Sequence, residues 1–337
     1  MTLPRRTVLT MGLAAVAAPV VAADPAQPYL ALALQVACDA VNADATPEAA
    51  RERIARSITR VGTQVRASVG FLKGFMGVDP RLVVLPEYAF TGFPSGESRA
   101  LWQAKAAFDP KGREYDQLAA MAQASKVYLA VNAYATDKAF PDLYFQVTSI
   151  LSPSGDVALT YRRMISLFAP TPFDVWEKFL DIYGYDAVFP VARTDIGTLA
   201  AIASEEVLYP EIARMTAMKG AEVYVHPTSE VGSPELTPKE ITRRARAVEN
   251  MAYVVSANSA GILGTSIPAA STDGMSKVID FGGKVMAVAG GGETLVAHAV
   301  IDLPALRSAR RRAGMSNLVS RQPWRAYAPA YGLAEGV

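Results

Sequence analysis

Residues 82–87, which read LVVLPE, decide the fold of this chain. Four apolar residues in a row, closed by a proline, are typical of a short strand that is buried on both faces of a sheet. Residues 29–37 form a second run that is apolar except for Gln35, and residues 46–72 carry apolar side chains three and four positions apart. That spacing predicts a helix with one buried face, opened by Thr46 as the cap and Pro47 in the first turn.

The same alternation of strands and helices continues along the chain. Further strands are predicted at 127–134, 198–203, 221–226 and 252–257, helices at 115–125, 210–218 and 238–251, and hairpins over 145–161 and 277–289. No linker, repeat or low-complexity tract interrupts this pattern. The sequence therefore predicts one α/β domain over residues 28–305, followed by a C-terminal extension over 306–337.

Composition excludes several classes of protein. Of 337 residues, 51% are hydrophobic and 19% are charged, which is a globular composition. Lys+Arg 33 against Asp+Glu 32 leaves no basic excess for a nucleic-acid partner. A single cysteine, Cys38, and two histidines, His226 and His298, argue against an internal disulfide, a cysteine metal cluster or a multi-histidine zinc site. We therefore expect no metal and no cofactor.

The first 23 residues have the composition of an export signal. Arg5 and Arg6 precede a mildly apolar run from 8 to 23 that ends in small residues, as in a twin-arginine leader. This run of 16 residues is shorter than the roughly 20 that cross a bilayer as a helix. The sequence predicts cleavage near residue 22 or 23, a periplasmic or secreted mature protein, and membrane contact only during export.

Three motifs, in this order, carry a family resemblance. They are residues 82–93, LVVLPEYAFTGF; residues 155–163, GDVALTYRR; and residues 202–214, IASEEVLYPEIAR. Two further segments agree with them, RARAVEN at 244–250 with NSAG at 258–261, and IDFGGKV at 279–285. Together they resemble the nitrilase, or carbon–nitrogen hydrolase, superfamily over residues 29–303, nearly the whole mature chain. The resemblance implies an αββα sandwich of two mixed sheets, which usually pairs through its helices into a homodimer or a larger assembly.

The resemblance also implies a site for a small-molecule substrate. In the family a glutamate acts as the base, a lysine stabilises the oxyanion and a cysteine attacks an amide or nitrile carbon. In this sequence Glu87 falls at the glutamate position, Arg163 at the lysine position and Ser204 at the cysteine position.

Three further residues are expected to bind substrate. Tyr88 follows the base, and Glu206 matches an acidic position two residues after the nucleophile, which is more often structural. A second family glutamate follows the lysine, and both Asp174 and Glu177 are candidates for it, of which we assign Glu177. Aromatic residues beside these motifs, among them Phe93 and Phe168, predict an apolar pocket wall.

The two replacements leave the activity open. A thiol ionises at a pKa of about 8.5, whereas a serine hydroxyl must lose its proton during the attack itself. Arg163 retains the positive charge but does not deprotonate, so it cannot shuttle a proton. Two hypotheses follow: a hydrolase of carbon–nitrogen or related acyl bonds with a Glu–Arg–Ser site, or an inactive relative that binds a small molecule or serves as an assembly scaffold. In the second case Glu87 and Arg163 form a structural ion pair. A triad of Ser204 with His226 is a more distant alternative.

Overall fold

Two six-stranded mixed sheets form the centre of the molecule. The computed structural model describes residues 27–231 and 236–332. Numbered along the chain, the strands of the first sheet lie in the order β14 (His298–Ile301), β1 (Tyr29–Ala33), β3 (Pro80–Val84), β4 (Tyr128–Thr136), β5 (Tyr144–Leu151) and β6 (Val157–Arg162). Those of the second lie in the order β13 (Val285–Val288), β12 (Lys277–Ile279), β10 (Tyr253–Ala257), β9 (Val223–Pro227), β8 (Gly197–Ala201) and β7 (Ala192–Thr194). A small separate sheet pairs β2 (Cys38–Asp39) with β11 (Ile262–Leu263).

The two large sheets have the same internal arrangement. Strands β1, β3 and β4 run parallel in the first sheet, and β8, β9 and β10 run parallel in the second. Antiparallel strands flank each parallel trio. In both sheets, therefore, the carboxyl ends of the parallel strands meet at one edge, where loops can bring side chains together.

Alternating side chains of β3 show how the layers are built. Leu82 and Val84 belong to the core between the two sheets, whereas Val83 lies on the opposite face in a core shared with Ile54 and Ile58. A third core covers the outer face of the second sheet. Because both faces of each sheet are buried, the four layers are helix, sheet, sheet and helix, and the αββα sandwich is confirmed.

Eight helices surround the sheets in the described part of the chain. They are α1 (Pro47–Met76), α2 (Arg99–Ala106), α3 (Arg113–Ser125), α4 (Trp176–Tyr183), α5 (Pro210–Met218), α6 (Pro238–Asn250), α7 (Leu303–Arg311) and α8 (Trp324–Gly332). The Thr46 hydroxyl accepts a hydrogen bond from the N–H of Ala49, so the predicted cap of α1 is present. The helix continues four residues past its predicted end, to Met76, and Gly77, with a φ of 66°, closes it.

Several elements differ from the sequence-based expectation. The helices α2 and α4 and the strand β14 were not predicted, because each is short and has no long periodic pattern. The domain boundary expected at residue 305 falls inside α7, whose Leu303 and Leu306 are buried in the core between the sheets. The leader expected over residues 1–23 lies outside the described residues. Within the described ranges, no helix combines the length and apolarity needed to cross a bilayer.

Gly92 ends the loop that follows β3, and its backbone conformation needs glycine. Its φ is 71°, and a Cβ placed there would lie 2.6 Å from the Cβ of Ala40. We expect Gly92→Ala to lower the free energy of unfolding by about 2 kcal/mol, because strain and the close contact act together. Gly70→Ala, in the exposed interior of α1 with nothing within 4 Å of a new Cβ, should raise it by about 0.5–1 kcal/mol. Urea denaturation of both variants measures this, and equal effects would contradict it.

Candidate active site

The candidate site is assembled where strands of both sheets end. Glu87 follows β3, Arg163 follows β6, and Ser204 lies three residues after β8. The backbone N–H of Glu87 donates to the carbonyl of Thr228, just after β9, at 3.3 Å. This bond ties the loop after β3 to the second sheet, so the carboxyl edges of the two sheets close onto each other at the site.

Glu87 is a buried carboxylate with one oxygen fully engaged. The residue is 1% exposed. Its Oε1 accepts hydrogen bonds from Nη1 of Arg163 at 2.7 Å and from Nε2 of Gln146 at 2.8 Å. Its Oε2 accepts no hydrogen bond from a backbone, arginine or amide group among residues 27–231 and 236–332, and the phenol of Tyr88 is the hydrogen-bonding side chain beside this carboxylate.

Arg163 is the charge at the centre of this network. Its Nη1 donates to Glu87 and to Oε1 of Gln146, its Nη2 donates to Glu205 at 2.8 Å, and its Nε donates to the carbonyl of Ile165. Burial by itself would lower the pKa of Arg163, but Glu87 and the other acidic neighbours raise it above its ordinary value. A guanidinium has five N–H groups, and within the described structure four of them are committed. The second N–H on Nη2 has no partner within the described structure.

Ser204 starts a short 3-10 helix, Ser204–Leu208, in an uncommon backbone conformation. Its φ is 49°, in the left-handed region that side chains with a Cβ seldom adopt. The residue is 5% exposed, and within the described ranges its Oγ makes no hydrogen bond. A sharp turn at the end of a strand, with a hydroxyl left free, is a conformation suited to presenting a nucleophile.

Glu206, expected to bind substrate, occupies a different kind of position. It is fully buried. Its Oε1 accepts from the Tyr161 hydroxyl at 2.8 Å and from two backbone N–H groups, of Met164 and Ile165, while its Oε2 accepts from the N–H of Ala203. Burial raises its pKa, while the charge of Arg163 and these donors oppose the rise. With both oxygens bound to protein, Glu206 holds the segment after Arg163 against the turn before Ser204.

His226 lies inside strand β9 and is fully buried. Its Nε2 is 2.9 Å from the carbonyl oxygen of Ser204, and its Nδ1 is 2.8 Å from Oγ of Ser256. Burial lowers the pKa of His226 well below its ordinary value, and the nearby positive charges of Arg243, Lys239 and Arg163 act in the same direction. Because Nε2 contacts the carbonyl of Ser204 rather than its hydroxyl, the geometry does not form a Ser–His triad.

Tyr88 borders the site together with an aromatic cluster. Its ring packs against Phe93 and Phe168, with centroids 5.7 and 6.4 Å apart. Burial and the charge of Glu87 raise the pKa of its phenol well above the ordinary value. Beside these rings lies a cavity of about 610 Å³, whose lining includes Phe168 and Ser166, and the Ser166 hydroxyl reaches Oε1 of Gln146 at 3.4 Å. Tyr144 is the second aromatic residue of the cavity lining, whereas Glu87, Arg163, Ser204 and Tyr88 are not among the lining residues.

Glu177 lies apart from these contacts. It occupies the first turn of α4, is exposed, and makes no hydrogen bond or ion pair among the described residues. Asp174, the other candidate, lines the cavity, and its Oδ2 accepts a hydrogen bond from the N–H of Thr171. Sequence reasoning missed Gln146 and Glu205. The position of Glu205, directly after Ser204 in the sequence, could have indicated its role. Nothing in the local sequence distinguishes Gln146 from other polar residues of a strand. Within the described ranges, no cluster of three or more His, Cys, Asp or Glu side chains has the geometry of a metal site.

Comparison with known proteins agrees with this fold. Residues 62–311 match the Carbon-nitrogen hydrolase family, and the chain belongs to this family. It is 29% identical over 194 residues to a formamidase of Helicobacter acinonychis, covering 56% of this chain and 52% of that protein. The chain thus spans about half the length of this curated relative.

Solved structures show the same architecture. A carbon–nitrogen hydrolase of Helicobacter pylori G27 superposes with a TM-score of 0.67 at 21% identity, covering 91% of this chain and 99% of that one. A mutant of the amidase from Nesterenkonia sp. AN1, in which acrylamide has added to the active-site cysteine, superposes with a TM-score of 0.57 at 18% identity, covering 90% and 99%. At these identities the likeness establishes the fold.

The depressed pKa of His226 predicts a loss of stability in acid. Below about pH 6.5 the unfolded chain binds a proton on this histidine that the folded chain does not, so stability falls as the pH falls. The contribution approaches about 1.4 kcal/mol per pH unit. We expect His226→Gln to reduce the change in the free energy of unfolding between pH 7.5 and 5.5, measured by urea denaturation. His298→Gln keeps His226 and should show the same pH dependence as the parent protein. Identical slopes in all three proteins would contradict this.

Proposed function

We propose that this chain hydrolyses carbon–nitrogen bonds of small amides or nitriles, or related acyl bonds, with Ser204 as nucleophile, Glu87 as base and Arg163 at the oxyanion. One observation carries the proposal: a single guanidinium binds Glu87 through Nη1 and, through Nη2, the residue directly after Ser204. The base and the nucleophile's turn are therefore held to the same rigid group. The family membership and the formamidase name of a relative favour amides as the substrate class.

The proposed reaction uses the free positions of this network. Ser204 Oγ attacks the carbonyl carbon of an amide while its proton passes to Oε2 of Glu87. The uncommitted N–H of Arg163 stabilises the oxyanion. When the carbon–nitrogen bond breaks, Glu87 returns the proton to the departing amine or ammonia, leaving an acyl ester on Ser204. A water molecule then attacks the ester, giving one proton to Glu87, and the carboxylic acid leaves as Ser204 regains its proton.

Within this scheme Tyr88 and the aromatic cluster act as the apolar wall of the acyl pocket. Glu206 keeps the backbone of the two catalytic loops in place and does not contact substrate, since its oxygens are committed to protein groups. We assign no role to Glu177, which is exposed.

The ion pair between Arg163 and Glu205 supports a second candidate function. With two carboxylates on one guanidinium, the positive charge is compensated before any substrate arrives. Such a site suits an inactive relative that binds a neutral small molecule or supports an assembly. The two functions differ in whether any covalent acyl intermediate forms on Ser204.

Substitution at Ser204 separates the two candidates. In the hydrolase, Ser204→Ala and Glu87→Gln should each lower kcat by about 10³-fold or more, because one removes the attacking atom and the other the base. Ser204→Cys should keep or raise activity on amides, since a thiolate forms more readily than an alkoxide. The assay is a panel of short amides, including formamide, with nitriles and esters, together with intact-mass detection of an acyl adduct.

Ser57→Ala is a matched control for this experiment. Ser57 is another buried serine, on α1, and its Oγ has no hydrogen-bond partner in the described structure. Its replacement should leave turnover unchanged. Absence of turnover across the panel, together with a ligand-induced rise in melting temperature that Ser204→Ala does not alter, would exclude the hydrolase and favour the binding protein.

We also propose that the chain is exported by the twin-arginine route, works in the periplasm or outside the cell, and self-associates as a homodimer or larger assembly. The paired arginines and small-residue exit of residues 1–23 support the first part. Replacing Arg5 and Arg6 together by lysine should leave the uncleaved chain in the cytoplasm, as measured by cell fractionation and intact mass. A native chain that remains cytoplasmic with its leader attached would contradict the proposal.

A further inference from the structure

The backbone of Ser204 needs an external support. A residue with a Cβ and a φ of 49° keeps that conformation only where its surroundings hold it there. The groups that hold it determine where Oγ points. Because the Oγ itself makes no hydrogen bond within the described structure, the backbone is what fixes the Cα–Cβ direction from which the hydroxyl projects in one of its staggered rotamers.

The structure identifies one such group. A carbonyl oxygen can only accept a hydrogen bond, so the 2.9 Å contact between Nε2 of His226 and the carbonyl of Ser204 requires the proton on Nε2. In the neutral ring Nδ1 then has a lone pair, and it accepts from the Ser256 hydroxyl at 2.8 Å. The two neighbours together select one tautomer and one ring orientation.

The imidazole is placed to donate and not to take up a proton. It is fully buried, and both ring nitrogens are committed to protein groups. Among charged groups, Arg243, Lys239 and Arg163 oppose a second proton on the ring, and two of them are themselves ion-paired, Arg163 with Glu87 and Glu205 and Arg243 with Glu230 and Glu240. The hydrogen bond to Ser204 is therefore constant over the neutral pH range.

We propose that His226 is a positioning residue for the reaction: its Nε2–H holds the carbonyl of Ser204 and thereby the left-handed backbone that directs Oγ into the site. This inference rests on the proposed function, since it takes Ser204 as the reacting residue. His226 does not touch the substrate. It acts through the backbone of Ser204, and Ser256 acts one step further out by orienting the ring.

Two isosteric substitutions test the hydrogen bond itself. A glutamine side chain places an amide N–H near the position of Nε2, whereas asparagine reaches only the position of Nδ1. We expect His226→Asn to lower kcat by about 100-fold with KM changed less than about threefold, because a small misplacement of the attacking atom affects the chemical step. His226→Gln should recover most of the loss. His298→Gln, at the other histidine of the chain, is the matched control and should leave kcat unchanged. A similar kcat for His226→Asn and the parent enzyme would overturn the proposal.

A second measurement does not depend on turnover. In a Ser204→Cys background, the rate of alkylation by iodoacetamide reports how the side chain is presented. Burial raises the pKa of Cys38 to about 12, so this thiol stays protonated near neutral pH and is not expected to react with iodoacetamide. We expect His226→Asn to lower the alkylation rate about tenfold and His226→Gln to preserve it, measured by intact mass. Equal rates would overturn the positioning role even if amides are hydrolysed. If His226→Asn lowers the alkylation rate but the protein hydrolyses none of the substrates, His226 still orients the side chain at position 204 and the proposed function is rejected.

If His226→Asn does not fold, the tautomer of His226 in the parent protein tests the proposal. Nitrogen-15 chemical shifts of the imidazole should show the proton on Nε2 and no titration between pH 6 and 8. A proton on Nδ1, or a ring that titrates in this range, would overturn the proposal.

Discussion

A buried positive charge organises this molecule. Arg163 is 2% exposed, and a guanidinium so far from water must be compensated by nearby carboxylates and carbonyl oxygens. Glu87, Glu205 and Gln146 supply that compensation from three different segments. Removing one partner of such a buried pair costs about 3–5 kcal/mol in comparable cases, because the remaining charge is left unpaired. The loops after β3, β6 and β8 are therefore tied together by one interaction.

Around that charge, the three carboxylates are used in different ways. Glu206 has both oxygens bound by protein donors and serves the backbone. Glu205 pairs with Arg163 and is partly exposed on its side chain. Glu87 combines deep burial with a carboxylate whose Oε1 is bound by Arg163 and Gln146 and whose neighbouring side-chain hydroxyl is that of Tyr88. A structural carboxylate and a chemically available one differ in how many of their oxygens accept hydrogen bonds from protein groups, and charge or burial alone does not separate them.

Serine at the candidate nucleophile position places a greater demand on geometry. A thiolate is already present in part near neutral pH beside a base and a cation, whereas a hydroxyl must be deprotonated as it attacks. The direction of Ser204 Oγ relative to Glu87 therefore matters more than it would for a cysteine. A rigid turn, held by the neutral imidazole of His226 and by the ladder of donors on Glu206, is consistent with that demand. Family membership is compatible with either an enzyme or an inactive relative, because a fold alone does not determine activity.

The sequence by itself predicted an α/β domain and the order of its main strands and helices, and the family resemblance added the four-layer arrangement. Apolar runs such as residues 82–85 and the three- and four-residue spacing in α1 are local signals, and a strand or helix needs no distant partner to be read from them. The motif order indicated the family and brought Glu87, Arg163 and Ser204 forward as candidates. Only the tertiary structure decided how these side chains are used. Glu87 and Arg163 are 76 residues apart in the chain and Arg163 and Glu205 are 42 apart, and no periodicity encodes such contacts. For the same reason, only the tertiary structure shows that Glu206 is buried, that Glu177 is exposed and that His226 binds the carbonyl of Ser204.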